Sequence, residues 1–254
     1  MCFDDSLKQE YHNKIVWVTG AGQGIGLSVA KQFAQLGARV VGFDKQFATT
    51  EPLFKAIHCD LADLATLEHT LATLVRPDLA PYSLINVAGV LELGALETLS
   101  LEQWQHCQHV NAGAVFVFLK SCAAHFKQQR SGSIVTVSSN ASHTPRQNMA
   151  AYCASKSAST QLTLTAGLEL AEYGIRANVI APGSTLTPMQ TGMWRDSSGA
   201  EQVIKGFPSQ YKLGIPLQKL ATPEEIAHSV LFYASSLSSH TTMQVVTIDG
   251  GATL

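Results

Sequence analysis

From residue 15 almost to the C-terminus, short apolar runs alternate with longer stretches of helical periodicity. A chain patterned this way folds as repeated strand-helix-strand units, because parallel neighbours need a long crossover and a helix supplies it. The runs place strands at 15–19, 39–43, 55–59, 83–87, 133–138, 175–181 and 243–248. The expected fold is therefore α/β, a doubly wound parallel sheet of seven strands. With 254 residues, 46% of them apolar, the chain suits a single domain. Two helices carry start signals, Ser100-Leu101-Glu102-Gln103 and Thr222-Pro223-Glu224-Glu225, the second with proline at the first helical position. Long helices are expected over about 101–127 and 150–172. Between 182 and 222 the periodicity breaks into Gly, Ser, Pro, Met and Trp, and a segment of that length in a compact domain reads as a lid, at about 183–222.

Composition removes several functions. Seventeen basic residues stand against 19 acidic ones, a net charge of -2, with no Lys/Arg run to follow a phosphate backbone, so nucleic acid is not an expected partner. Charged residues make up 14% of the chain against roughly 25% in ordinary soluble domains, which points to surface buried between copies. The five cysteines are odd in number and form no Cys-x-x-Cys pair, which fits reduced thiols in the cytoplasm. The first 14 residues are polar where a signal peptide needs an apolar stretch, and no membrane-length apolar run follows. Nine histidines offer no His-x-x-x-His spacing, so no metal is expected; His143 alone falls near the site described next, without an assignable role.

Thr19-Gly20-Ala21-Gly22-Gln23-Gly24-Ile25-Gly26 follows the first strand and opens a helix. Glycines there let the backbone turn tightly and approach a pyrophosphate, whose charge meets the amides of the helix N-terminus. A tight turn with no ligand selects glycine too; the strand-turn-helix context is what favours a dinucleotide. Asp44 ends the second strand 18 residues past Gly26, where a carboxylate accepts from an adenosine ribose and repels a 2′-phosphate. NAD is thereby favoured over NADP. Lys45 complicates this, since an adjacent cation offsets part of the repulsion.

Tyr152 and Lys156 stand four apart in a proline-free helical stretch and so share one face. An adjacent cation favours phenolate, which a tyrosine near pKa 10 needs to act as a base. Six tyrosines and eleven lysines in this length produce about 0.26 such pairs by chance, so the pair alone decides nothing. Ser139 adds weight: it lies just past the fifth strand, where parallel sheets present ligands. Asn111 falls inside a predicted helix, a poor place for asparagine unless it has a task; a surface polar residue is the plain alternative.

Together these residues resemble the short-chain dehydrogenase/reductase family over nearly the whole chain. The loop at 19–26, Asn86-Val87-Ala88-Gly89, Asn111, Ser139, Tyr152, Lys156 and Pro182-Gly183 follow the family's order and spacing; Val87 departs from it, where many members carry a second asparagine. The resemblance implies a Rossmann-type sheet of order 3-2-1-4-5-6-7 and a tetramer built on the two long helices. It implies Tyr152 as acid/base, Ser139 orienting substrate, Lys156 on the nicotinamide ribose and Asn111 holding a relay water. Gly20, Gly22, Gln23, Gly24, Ile25, Gly26, Asp44, Asp60, Leu61, Asn86, Ala88, Gly89, Pro182 and Gly183 would complete the cofactor site, with Asp60 and Leu61 flanking adenine. Further stretches, among them His143-Thr144-Pro145-Arg146 and Lys212-Leu213-Gly214-Ile215-Pro216-Leu217, are similar to the branch of the family that oxidises a cyclic diol carboxylate with NAD to a siderophore catechol.

An anionic substrate needs a cation, and Arg146, between Ser139 and Tyr152, is the candidate, a surface arginine being the alternative. Met189, Gln190 and Trp194 would cover the ring; a packed lid interior explains Met189 and Trp194 equally well. Two other functions share the motifs. A generic carbonyl reductase, such as a 3-oxoacyl carrier-protein reductase, is opposed by Asp44. A dinucleotide sensor without turnover has no need of the full Asn111, Ser139, Tyr152 and Lys156 set.

Overall fold

The computed structural model describes residues 3–47, 52–194 and 196–254. Seven strands, β1 (Ile15–Thr19), β2 (Arg39–Asp44), β3 (Lys55–His58), β4 (Ser83–Asn86), β5 (Gly132–Val137), β6 (Ile175–Pro182) and β7 (Val245–Ile248), form one sheet of order β3-β2-β1-β4-β5-β6-β7, every pair parallel. The expected sheet and its order are borne out. Strand ends move by a residue or two, because ladder bonds set them and apolarity does not. Asp44 gains a partner in His58 and becomes the last residue of β2. Met243 is lost from β7, its backbone turned into the left-handed region at φ 57°.

Nine helices flank the sheet among the described residues: α1 (Phe3–Tyr11), α2 (Gly24–Gln35), α3 (Leu64–Leu74), α4 (Leu101–Gln108), α5 (Ala114–Gln129), α6 (Ala150–Leu170), α7 (Pro188–Thr191), α8 (Gly199–Lys205) and α9 (Pro223–Ala234). Both expected capping boxes form, Ser100 with Gln103 and Thr222 with Glu225. On one face of the sheet α1, α2 and α9 cover Val16, Val18, Ile85, Val135 and Val137. On the other, α3, α5 and α6 cover Trp17, Phe43, Leu84 and Ile134. The central strands β1, β4, β5 and β6 are thus covered on both faces, as strands inside a parallel sheet are, while the edge strands β3 and β7 are partly exposed.

Two departures bear on the site. The polar N-terminal segment forms α1, where Leu7 and Tyr11, four residues apart, are buried, and Tyr11 packs edge-on to Phe33 at 4.9 Å. Glu10 ties this helix down by accepting from the backbone amide and hydroxyl of Ser236 at 2.9 and 2.8 Å. The expected helix over 101–127 is broken by a π-turn at His109–Gly113, between α4 and α5, with Asn111 at its centre. Such bulges recur at functional sites because they rotate one side chain out of helical register.

The 183–222 segment is folded rather than loose. Its ends are pinned side by side, Leu186 donating to Ala221 O at 2.8 Å and Ala221 to Ser184 O at 3.1 Å. Between them α8 and a hairpin pack a small core of Val203 and Ile215 against Ala252. Residue 195 lies outside the described residues. The four described cysteines, Cys59, Cys107, Cys122 and Cys153, are free thiols; Cys2 is outside the description. No described helix is long and apolar enough to cross a membrane, and the described residues hold no cluster of metal-ligating side chains.

Candidate active site

The carboxyl ends of β1, β2, β4, β5 and β6 open into one cavity of about 1170 Å³. It lies where the chain leaves β1 in one direction and β4 in the other, the crevice in which doubly wound sheets bind ligands. Pockets for one small molecule run to about 1,000 Å³ at most, so this one has room for a cofactor and a ring beside it.

The first wall is the turn from β1 into α2. Gly20, Gly22, Gln23, Gly24, Ile25 and Gly26 all line it. A Cβ on Gly26 would stand 2.0 Å from Gly20 O, and one on Gly22 would stand 1.9 Å from Gln46 O and 2.9 Å from the Asp44 carboxylate. Side chains are excluded there, and the backbone itself forms the surface. Thr19 Oγ1 locks this turn to the β4 loop by accepting from Val87 and Ala88 amides at 3.0 and 3.1 Å. Asp44 is held in place, its Oδ2 accepting from Gly22 N at 2.9 Å and its Oδ1 from Gln46 N at 3.3 Å. The neighbouring cation is already engaged: Lys45 Nζ pairs with Asp60 at 2.8 Å, which draws the Asp60 carboxyl below its usual range. Leu61, Ala88 and Gly89 continue this lining, while Pro182 and Gly183, at the end of β6, line the cavity beside Asn140.

The opposite wall carries Ser139, Tyr152, Lys156 and Arg146. Ser139 follows β5 and caps a short turn, its Oγ accepting from Ala141 N at 3.1 Å. That turn is anchored by Asp249 beyond β7, which accepts from Asn140 Nδ2 at 3.1 Å and from Thr253 Oγ1 at 2.5 Å. Tyr152 and Lys156 are one turn apart on α6, with the Lys156 ammonium 5.9 Å from the Tyr152 ring centre. Burial pushes the Tyr152 phenol up to about 12, and the neighbouring Ser139 hydroxyl pulls it back. Burial drives the Lys156 ammonium down to about 8. Among the described residues Lys156 Nζ makes one hydrogen bond, to Val137 O at 3.0 Å, and meets no carboxylate.

A buried cation held without a counter-charge costs stability, so Lys156→Met is expected to stabilise the protein free of dinucleotide by about 1–2 kcal/mol, or ~2–6 °C. The lysine's folded pKa lies below its unfolded value, so the penalty is full below about pH 8 and closes as the unfolded chain loses its own proton near pH 10.5. Thermal melts across that range check it. A variant less stable at every pH would remove the buried-charge argument.

The profile of a family described as enoyl-(acyl carrier protein) reductase matches residues 20–253. A 2,3-dihydro-2,3-dihydroxybenzoate dehydrogenase from Escherichia coli (strain K12) is 46% identical over 245 residues, 96% of this chain and 99% of that protein. The chain belongs to the short-chain dehydrogenase/reductase family. The protein of the same name from Bacillus subtilis (strain 168) is 44% identical, covering 95% of this chain and 96% of that one. Among solved structures of similar fold, a putative NAD(P)-dependent gluconate 5-dehydrogenase from Beutenbergia cavernae with bound NADP has a TM-score of 0.86 and 30% identity, covering 95% of this chain and 97% of that one.

Within this short-chain dehydrogenase/reductase frame, two expected site residues stand off the cavity wall. Asn86, the last residue of β4, is buried and donates through Nδ2 to Thr136 Oγ1 at 3.3 Å on the adjacent strand, because strand alternation turns its side chain into the sheet's packing. Asn111 is likewise buried. Its Oδ1 accepts from Val90 N at 2.8 Å while Nδ2 donates to Val90 O and to Ser155 Oγ, both at 2.9 Å. Both amide hydrogens are spent, which leaves one lone pair where a water-holding role was expected. Ser155 Oγ in turn donates to Tyr152 O at 2.8 Å, so Asn111 braces the turn of α6 that carries the tyrosine.

Met189, Gln190 and Trp194 all line the cavity; Gln190 is buried, and Trp194 Nε1 is buried with no partner among the described residues. His143 does not line it, sitting instead by Thr247 Oγ1 at 3.5 Å. His106, paired with Glu92 at 2.9 Å, does line it. So does Lys212, unmarked as a site residue in the sequence because only the fold of the 183–222 segment brings it to the cavity.

Proposed function

We propose that this chain oxidises 2,3-dihydro-2,3-dihydroxybenzoate with NAD to 2,3-dihydroxybenzoate, the catechol unit of enterobactin-like and vibriobactin-like siderophores. The observation that carries this reading is the convergence of Ser139, Tyr152 and Lys156 with a cation, Arg146, on the wall facing the glycine turn. The names of relatives 44–46% identical over nearly their full length support it.

The residues present fit a dinucleotide. The side-chain-free surface at Gly22 and Gly26 would take its pyrophosphate, Asp44 the adenosine ribose, Asp60 and Leu61 the adenine edge, and Lys156 the nicotinamide ribose. Asp44, with Lys45 turned away to Asp60, favours NAD over NADP. Bound there, NAD supplies the hydride acceptor for the carbinol carbon. Tyr152 Oη takes the hydroxyl proton as phenolate, Ser139 donates to the same oxygen and Lys156 stabilises the phenolate. The ketone left behind tautomerises to an aromatic catechol, and that gain draws the oxidation forward. Asn111 holds the tyrosine's helix turn in place. The 183–222 segment acts as a lid, with Met189, Gln190 and Trp194 over the ring. Exposed Phe116 on α5 and Leu168 on α6 are suited to the faces of a homotetramer, and the free thiols to the cytoplasm.

Purified protein given NAD and the dihydrodiol should form NADH together with stoichiometric 2,3-dihydroxybenzoate, identified by fluorescence and mass. Turnover of unrelated alcohols or carrier-protein thioesters with silence on this diol would retire the substrate. Dinucleotide binding without any turnover would leave a sensor.

A further inference from the structure

Lys212 sits on a stiff hairpin of the 183–222 segment. Phe207 N donates to Lys212 O at 2.8 Å and Lys212 N returns to Phe207 O at 3.2 Å, while Ile215 N donates to Ile204 O at 2.8 Å behind them. Gly206, at φ +85°, permits the close crossing, since a Cβ there would stand 2.4 Å from Gly214 N. Lys212 Nζ lies 5.5 Å over the Phe207 ring, which fixes its stem, and both side chains face the cavity.

Arg146 lines the same cavity, out of the loop between Ser139 and Tyr152, close enough for its charge to act on Lys212. Both cations are half-buried, and burial lowers the pKa of each; the nearby Arg146 charge lowers that of Lys212 further. Neither forms an ion pair among the described residues. The carboxylate whose charge bears on Arg146 is Asp249, and its oxygens are already taken by Asn140, Thr253, Gly251 and Ala252. Two like charges half-buried in one cavity repel each other, and an anion between them reverses the sign of that interaction.

We infer that Arg146 and Lys212 form a two-armed clamp for the carboxylate of the substrate, Lys212 being the arm supplied by the segment that covers the site. The inference rests on the reading of the substrate as a carboxylated ring diol, and it adds a source of selectivity. One arm belongs to the wall that carries the reacting groups and the other to the covering segment, so an anionic ring is met from both and a neutral ring gains from neither. Selection for the carboxylate is built into this pair of cations rather than into the reacting centre.

The test uses Lys212→Met, which keeps the stem and removes the charge, and Lys212→Arg, which keeps the charge. With NAD present, Lys212→Met should raise KM for the carboxylate diol at least tenfold and weaken 2,3-dihydroxybenzoate binding by calorimetry to the same degree. Turnover of the ring diol lacking the carboxylate should change less than twofold, and Lys212→Arg should restore most of the loss. Equal losses on the charged and neutral diols would assign Lys212 to folding of the hairpin and overturn the clamp, as would an unchanged KM with unchanged binding. If the wild type leaves the diol unoxidised yet binds 2,3-dihydroxybenzoate in a Lys212-dependent way, the proposed reaction fails and the anion clamp stands.

Discussion

Replacing Tyr152 with phenylalanine lowers kcat for diol oxidation by about 10²–10⁴-fold, the range over which a positioned acid/base acts, and leaves the dissociation constant for NAD within about twofold. The variant removes one oxygen. Its ring keeps its place on α6, braced from below by Asn111 and Ser155, so packing does not account for the loss. The pH profile separates proton transfer from positioning. In the wild type, kcat/KM for oxidation rises with pH as the phenol, pushed up by burial, gives up its proton; the phenylalanine variant's residual activity lacks that rise. Ser139→Ala moves the rise to higher pH, because the Ser139 hydroxyl favours the ionised phenol and its removal leaves burial less opposed. A Tyr152→Phe protein with wild-type kcat would end the assignment of Tyr152 as base.

How much of this was readable from the chain depends on which interactions place each group. The sheet was legible because parallel strands buried on both faces write continuous apolar runs, and the glycine turn because backbone approach forbids a Cβ. Tyr152 and Lys156 were legible because four residues make one helical turn. The helix α1 was not: among its described side chains only Leu7 and Tyr11 are buried, in a largely polar segment. Nor was the π-turn at Asn111, which is held by a side-chain amide bonding the backbone of Val90, 21 residues away. Asn86 was legible only as a position in a motif: its side-chain bond to Thr136 is made across the sheet, which spacing along the chain does not show. Lys212 stands in a segment without periodicity, where only the hairpin between Gly206 and Gly214 decides what it faces.

Cofactor choice is the second place where one charge should dominate. Asp44→Asn is expected to lower the ratio of kcat/KM with NAD to that with NADP by about 10²–10³-fold, mostly through a gain with NADP. A carboxylate about 4 Å from a 2′-phosphate repels it by roughly 4 kcal/mol at the effective dielectric of a partly exposed site, which sets the upper end. The asparagine retains an oxygen for Gly22 N, so the turn that lines the pyrophosphate wall keeps its tether. Lys45 sharpens the test. Its pairing with Asp60 is solvent-exposed, contributes little to stability, and chiefly decides where the ammonium points. Adding Asp60→Asn to Asp44→Asn frees Lys45 to meet the phosphate, and KM for NADP should fall again, while Asp60→Asn alone helps NADP far less because Asp44 still faces it. Initial rates with both dinucleotides across the four proteins check this. An NADP efficiency in Asp44→Asn equal to that of the wild type would mean that this carboxylate does not set the preference, and the ribose end of the cavity would have to be assigned elsewhere.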